Sequence, residues 1–386
     1  MTEKFSSKDA KKGNFSKQME LRKMSFRSAG LLYGSDAHHL DHLAVVCCLM
    51  EIPLITTDEE IAESAQKYYP GLEVVHMDTI LVANYVVNHF EVIFYTIPRL
   101  LFEEIFFFAQ QFQRKKIHTV WCPHGNSDKG HASIFMEALE LEEVALVYGP
   151  KMIEFLIKKG VFNQLKAHVT IGNLRYTYYR KNKEFYDTLI DQKIVKKQPN
   201  ALTTLLYAPT WNDAEKSSSF YDATPTLIEN LPPSTNLIIK LHPNLIHQGE
   251  GQTERLLMRY EDHPHVLFLT KFSPIYPILN YVDVYIGDMS SIGYDALIFN
   301  KPMFFLNQNN RDAQEDLGLY LFKCGIEVAK KEYPNFYTIM KKHLASDTTS
   351  FTPLRKQTYD YTFSKEKPWV DLRTEILNTF SKFSDL

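Results

Sequence analysis

Residues 282–299 read VDVYIGDMSSIGYDALIF, and the turn inside this run decides the fold. Val282–Ile286 is a β-rich apolar run. It passes through Gly287, and the Ser290-Ser291 pair then opens a stretch of helical composition, Ser291–Phe299. Serine is a favoured helix N-cap, so capping accounts for part of the pattern. A helix start also offers unpaired N–H groups and the positive end of the helix dipole, which suit a phosphate. Gly287 allows close approach, so a diphosphate on Ser290 and Ser291 is the functional reading. Asp288 sits just before the pair, and Asp295 lies one turn further on as a structural candidate.

Working outward, the same strand–turn–helix unit recurs. Upstream, strands are expected at 29–33, 53–55, 73–76, 92–95, 117–121, 145–148 and 167–171. In the second half they are expected at 204–207, 236–241, 266–268, 282–286 and 302–306. Helical stretches fall between them, as in Thr253–Tyr260, with further helices near Tyr337–Leu344 and Leu372–Phe383. Alternation of this kind predicts an α/β chain with parallel sheets covered by helices. The charged run 179–200 is the natural boundary. The expected organisation is a tail over 1–28, a first Rossmann-like domain over 29–178, a connector over 179–200, a second such domain over 201–345 and a helical segment over 346–386.

Length agrees with two units, because single cores stop growing at roughly 250–300 residues and this chain has 386. A net charge of −3 does not point to a nucleic-acid partner. Cys47, Cys48, Cys122 and Cys324 form no CxxC pair, which favours a reducing, cytoplasmic setting. The N-terminal residues are polar and charged, without the apolar segment of a secretory signal. The most apolar stretch, 81–112, is interrupted by His89, Glu91, Arg99, Glu103 and Glu104, so no membrane span is expected. Within it, RLLFEEIFFFAQQF (99–112) reads as a helix buried against a sheet. The alternative is a surface patch for a membrane or a partner.

Polar residues gather at the strand ends, where open parallel sheets bind ligands. The first strand runs into GSDAHHLDH (34–42), the fifth into CPHGNSDK (122–129) and the seventh into GNLR (172–175). In the second half the ends are APTWND (208–213), HPN (242–244) and GDMSS (287–291). His124 beside Gly125 is a candidate general base. Pro243 holds His242 in extended backbone at a strand tip, and Lys240 lies two residues before it. His38, His39, Asp41 and His42 are metal-ligating types. However, consecutive His38 and His39 are expected to diverge, so this segment is read as a cleft loop on the acceptor side.

Taken in order, His124-Gly125 with Lys129, Gly172-Asn173-Leu174-Arg175, Tyr207–Trp211, Lys240–Asn244, Gly287–Ser291 and Asn300–Phe305 resemble the CDP-glycerol glycerophosphotransferase family, which includes teichoic acid primases and polymerases. The resemblance runs from about residue 30 to residue 310. It implies a GT-B-like fold of two facing Rossmann-type domains, and transfer of glycerol phosphate from CDP-glycerol to an acceptor hydroxyl with release of CMP. It implies His124 as the acceptor's base, His242 against the donor phosphates, and Ser290 and Ser291 with Asp288 as the phosphate-binding group. Pro209 and Thr210 then belong to a donor loop, and Asn173 and Arg175 to an interdomain motif. Gly287, Lys240 and Asn244 complete the donor-phosphate set, while Gly125, Lys129 and Asp295 line the cleft. No acidic metal cage is visible, so a metal-independent core mechanism is expected, with Mg²⁺ left open. The acceptor is unassigned, a lipid-linked one and peripheral membrane contact included. A GT-B glycosyltransferase using a nucleotide sugar and a non-catalytic nucleotide-binding protein are the alternatives; donor screening separates the first, and His124→Ala with His242→Ala the second.

Overall fold

The computed structural model describes residues 27–126, 128–129, 139–213, 215–247, 251–272 and 274–382. The expected tail therefore lies almost entirely outside the described residues. Two all-parallel sheets form. The first contains β1 (Ser28–Leu32), β2 (Leu54–Thr56), β3 (Val74–His76), β4 (Val92–Tyr95), β5 (His118–Trp121), β6 (Val144–Val147) and β7 (Ala167–Thr170), in the order β3-β2-β1-β4-β5-β6-β7. The second contains β8 (Thr203–Ala208), β9 (Thr235–Lys240), β10 (Val266–Leu269), β11 (Val284–Gly287), β12 (Met303–Asn307) and β13 (Ile326–Ala329), in the order β10-β9-β8-β11-β12-β13. The strand order reverses between β1 and β4 and again between β8 and β11. Crevices open at such switch points, beyond the carboxyl ends of the strands.

Both faces of each sheet are covered, so the strands read as continuous apolar runs. Leu31 and Leu205 point into separate cores, while their neighbours Leu32 and Leu206 join one apolar cluster that runs through both halves. The connector is helical, Leu174–Lys181 and Lys183–Lys193. At the far end, one 28-residue helix, Phe336–Phe363, leaves the second sheet and returns to the first. Its C-terminus closes on Gly149 and Gly172, and Glu366 just beyond it bonds Thr177 and Arg180. A last helix, Trp369–Ser381, packs on β7.

Three sequence expectations change. Strand β13 was not foreseen. The helix expected over 337–344 continues to Phe363. The 99–112 segment is a helix, Glu103–Gln113 after a 3₁₀ turn, but only one side is buried, through Phe102, Ile105 and Ala109. Leu100, Leu101, Phe107 and Phe112 face outward, beside Ile80 and Leu81 of the packed helix Thr79–His89. The run is too apolar all round for a single buried face to absorb it. No described helix is long and apolar enough to cross a membrane.

Candidate active site between the two sheets

Four histidines from three chain segments meet between the two sheets. His38 and His39 lie in a 3₁₀ turn after β1, His124 follows β5, and His242 follows β9. The His38 ring centroid lies 4.2 Å from that of His39, 5.0 Å from His242 and 6.1 Å from His124. His39 and His124 are 4.4 Å apart. The expected divergence of His38 and His39 is corrected: the tight turn brings both rings to one side. His42, one turn into the helix Leu40–Met50, stays out of the cluster. Its Nδ1 lies 2.6 Å from the Tyr148 hydroxyl, which donates to the Pro123 carbonyl. His42 thus braces the segment carrying His124 instead of lining the acceptor side.

The backbone sets the tautomers of the two principal rings. His124 Nδ1 lies 3.1 Å from the Thr96 carbonyl. A carbonyl only accepts, so Nδ1 carries the proton and Nε2 the lone pair. His242 is the reverse. Its Nδ1 accepts the Asn244 N–H at 3.2 Å, which leaves the proton of the neutral ring on Nε2. Burial keeps both rings uncharged. It pushes His124 down to about 4, helped by neighbouring His38, while burial and then His38, Lys129 and Lys240 hold His242 well below its ordinary value. One ring therefore turns a lone pair away from its backbone partner and the other an N–H.

Lys240, at the end of β9, forms no hydrogen bond or ion pair among the described residues, and burial pushes its ammonium down to about 8. A buried unpaired cation is costly and suits an anionic ligand. Lys129 reaches across from the first half to the Thr210 hydroxyl and to Asp213 at 2.6 Å, and lies 5.8 Å over Trp211. Trp211 in turn sits 6.2 Å from His242. Gly125 has φ +136°, and a Cβ there would lie 3.0 Å from Ser291 Oγ, so the two halves touch at this point. Ser290 and Ser291 do open a helix, but Ile292–Ala296 has only five residues before it tightens into 3₁₀. The local N–H and hydroxyl groups outweigh any macrodipole there.

Other candidates turn out to hold the frame. Asp288 accepts the Thr210 N–H at 2.8 Å and the Ser219 N–H and hydroxyl at 2.9 and 2.8 Å, so both its oxygens face protein donors. The space beside Gly287 is filled by Tyr285, whose hydroxyl would lie 2.2 Å from an added Cβ. This glycine makes room for a tyrosine instead of a phosphate. Pro209 is buried at the end of β8, next to the braced Thr210. Arg175 is buried between Asp41 at 2.8 Å and Asp295 at 2.6 Å, and the Tyr276 hydroxyl lies 2.7 Å from both Asp295 and Asn173. Asn173, Arg175 and Asp295 thus form an interdomain clamp. A second clamp joins Asp128 to the Tyr294 hydroxyl at 2.6 Å. Sequence reading put Asp41 on the acceptor side instead of in the Arg175 clamp, and it missed Thr96, Ser219 and Tyr276. Of these only Thr96 carried a signal, since it directly follows β4 at the switch point.

Asp288, Asp295 and Asp213 do not offer free ligands for a resident Mg²⁺. Asp288 is filled by N–H and O–H donors, Asp295 by Arg175 and Asp213 by Lys129. No described cluster of three His, Cys, Asp or Glu has a metal-holding arrangement.

Residues 127–350 match the profile of the CDP-glycerol:poly(glycerophosphate) glycerophosphotransferase family. Among solved structures, the chain is similar to the wall teichoic acid polymerase TagF in a variant soaked with CDPG, at 13% identity and TM-score 0.64, over 96% of this chain and 97% of that one. It is also similar to Anabaena HepE in complex with UDP-glucose, at 11% identity and TM-score 0.54, over 93% and 100% of the two chains. S. aureus MnaA with UDP aligns at 10% identity and TM-score 0.56, over 93% and 97%. At these identities the structures establish the shared two-sheet, GT-B-like fold. No curated protein matches the chain in sequence.

Proposed function

The chain belongs to the CDP-glycerol:poly(glycerophosphate) glycerophosphotransferase family and is a transferase acting on CDP-glycerol; from that premise we propose that the reaction runs between the two sheets, with His124 as base and His242 as donor-phosphate contact. The observation that carries this reading is the opposed pair of tautomers in one histidine cluster. The acceptor hydroxyl attacks the glycerol-bearing phosphorus, and its proton passes to His124 Nε2. A new O–P bond forms as the bond to the CMP oxygen breaks. CMP leaves as a phosphate with a second pKa of about 6, so it needs little protonation. His242 Nε2–H and the Lys240 ammonium stabilise the charge carried by the diphosphate, which is where such catalysis concentrates. Ser290 and Ser291 offer further donors beside Gly125, and Lys129 closes the donor loop from the other half.

The product is a glycerol-phosphate unit on an envelope glycopolymer, made on the cytoplasmic side. The outward side chains Ile80, Leu81, Leu100, Leu101, Phe107 and Phe112 support peripheral contact with the membrane that would present a lipid-linked acceptor.

The deciding experiment is CMP release from CDP-glycerol with a panel of acceptors, repeated after chelation. Acceptor-dependent CMP that survives chelation supports the assignment and the metal-independent route. CMP release from a different nucleotide donor only, or none, overturns the donor. Full loss restored by Mg²⁺ overturns the route.

A further inference from the structure

His38 has no place in the reaction as described, yet it occupies the middle of the cluster. Its ring is the one that neighbours His39, His124 and His242 together. Its Nδ1 is buried and has no hydrogen-bond partner. A buried polar atom left unmade costs about 1–3 kcal/mol, and native chains seldom keep one without a use. The cation nearest in influence is Lys240, itself without a hydrogen bond or ion pair among the described residues.

We propose that His38 is a third histidine of the donor site, whose Nδ1 faces a phosphate oxygen of the bound diphosphate and whose ring gains a proton as that anion arrives. The proposal rests on the donor reading above. Without ligand, burial and then Lys240 push His38 down to about 4, so it is neutral near pH 7. The groups that bear on it are Lys240 and His242 from the β9 end, His39 from its own turn, His42 from the helix that follows and His124 from the β5 end; Asp36 acts on His124, Asp41 on Lys240 and Lys129 on His242. Of these, Asp36 and Asp41 alone carry negative charge, and Asp41 is already paired with Arg175. A diphosphate brings the negative charge this pocket lacks. It offsets Lys240 and favours the imidazolium, with both ring nitrogens then donors.

The test is calorimetric titration of the full chain with CDP-glycerol at pH 6, in buffers of different ionisation enthalpy. Proton uptake is expected for the wild type, with affinity weakening toward tenfold per pH unit as pH rises, the limit for one full proton. His38→Asn keeps a neutral donor near the Nδ1 position and does not titrate, so it should bind CDP-glycerol but lose the uptake. His38→Phe should lose about 10- to 100-fold more affinity, as expected for a missing bond to a charged group. Thermal melts of both variants report whether they fold. Uptake that persists in His38→Asn, or wild-type binding without uptake, overturns the role of His38 alone. Failure of the wild type to bind CDP-glycerol removes the donor reading, and this proposal with it.

Discussion

The sharpest consequence of the tautomer assignment concerns His124→Asn. Asparagine places an amide N–H close to where Nδ1–H stood, so the bond to the Thr96 carbonyl survives. It has no lone pair where Nε2 points. The variant should therefore keep donor binding and lose proton removal, which is worth about 10²–10⁴ in rate. kcat should fall by that factor, with KM for CDP-glycerol changed by less than about threefold. The pH profile gives a second magnitude. With His124 held near 4, roughly 90% of the base is ready at pH 5, against roughly 3% for an ordinary histidine at 6.5. Hence wild-type kcat/KM, which reports the free enzyme, should hold or rise between pH 7 and pH 5, where an ordinary base would lose about 25-fold. The same depressed value makes the neutral ring a source of stability. That contribution is full above the unfolded value of 6.5 and is lost as pH falls toward about 4, because the unfolded chain takes the proton first. Recovery of activity on return to pH 7 separates titration from unfolding. The assay is initial CMP release from pH 4.5 to 9. An acid limb near 6.5, or more than about a tenth of wild-type kcat in His124→Asn, would refute the assignment.

Lys240 sets the opposite limb. As pH rises through about 8 its ammonium is lost, so KM for the donor should rise there, and Lys240→Met should raise KM at pH 7 and abolish that limb. Arg175→Met leaves Asp41 and Asp295 buried without their shared cation, and denaturant unfolding should show a loss of about 3–5 kcal/mol. Arg175→Lys should recover only part of this, because one ammonium cannot span two carboxylates as a guanidinium does. Gly125→Ala must relax both a φ of +136° and a 3.0 Å approach to Ser291. It should lower kcat at least tenfold, with a smaller effect on melting, since the strain falls on the contact between the halves.

The sheets were legible because their strands are buried on both faces and end in turn residues. Twelve of the thirteen described strands fall within a residue or two of the expected runs. The exception, β13, is an edge strand, Ile326–Ala329, with an exposed Glu327, and reads too weakly in sequence. Helix was expected over 337–344 and within 346–386, but its unbroken run over 336–363 was hidden for another reason. Its middle, SDTTSFTPL, reads as a loop and contains Pro353. Tertiary structure overrides that signal. Arg355 is fully buried and bonds Asp347 through both guanidinium nitrogens at 2.7 Å, tying the turns on either side of the proline. In the site, the strand-end rule found the histidines but mistook the function of several neighbours. Asp288, Gly287 and His42 have the right chemistry in the right place, and only their partners reveal that they brace the loops. Thr96 escaped because it acts through a carbonyl, which every residue possesses.

Roles in this cleft are therefore assigned by the backbone more than by residue type. His124 and His242 are the same side chain at similar burial. One meets a carbonyl and keeps a lone pair on Nε2, as the proposed base needs; the other meets an N–H and keeps a proton there, as the proposed phosphate contact needs. Neither partner lies in the sheet that carries the other histidine, so each half presets its own ring before the halves meet. What the halves supply jointly is distance. Gly125 against Ser291, Lys129 against Asp213 and Arg175 against Asp295 fix the separation between the base and the donor site. Loosening any of these contacts should lower kcat without altering either tautomer, because a misplacement of about 1 Å costs as much as 10²-fold in a positioned reaction. A clamp variant then imitates a catalytic one in rate, and only the pH profile tells them apart. Arg175→Met should keep the acid limb of kcat/KM near 4, whereas losing the Thr96 bond would release the His124 tautomer and move it.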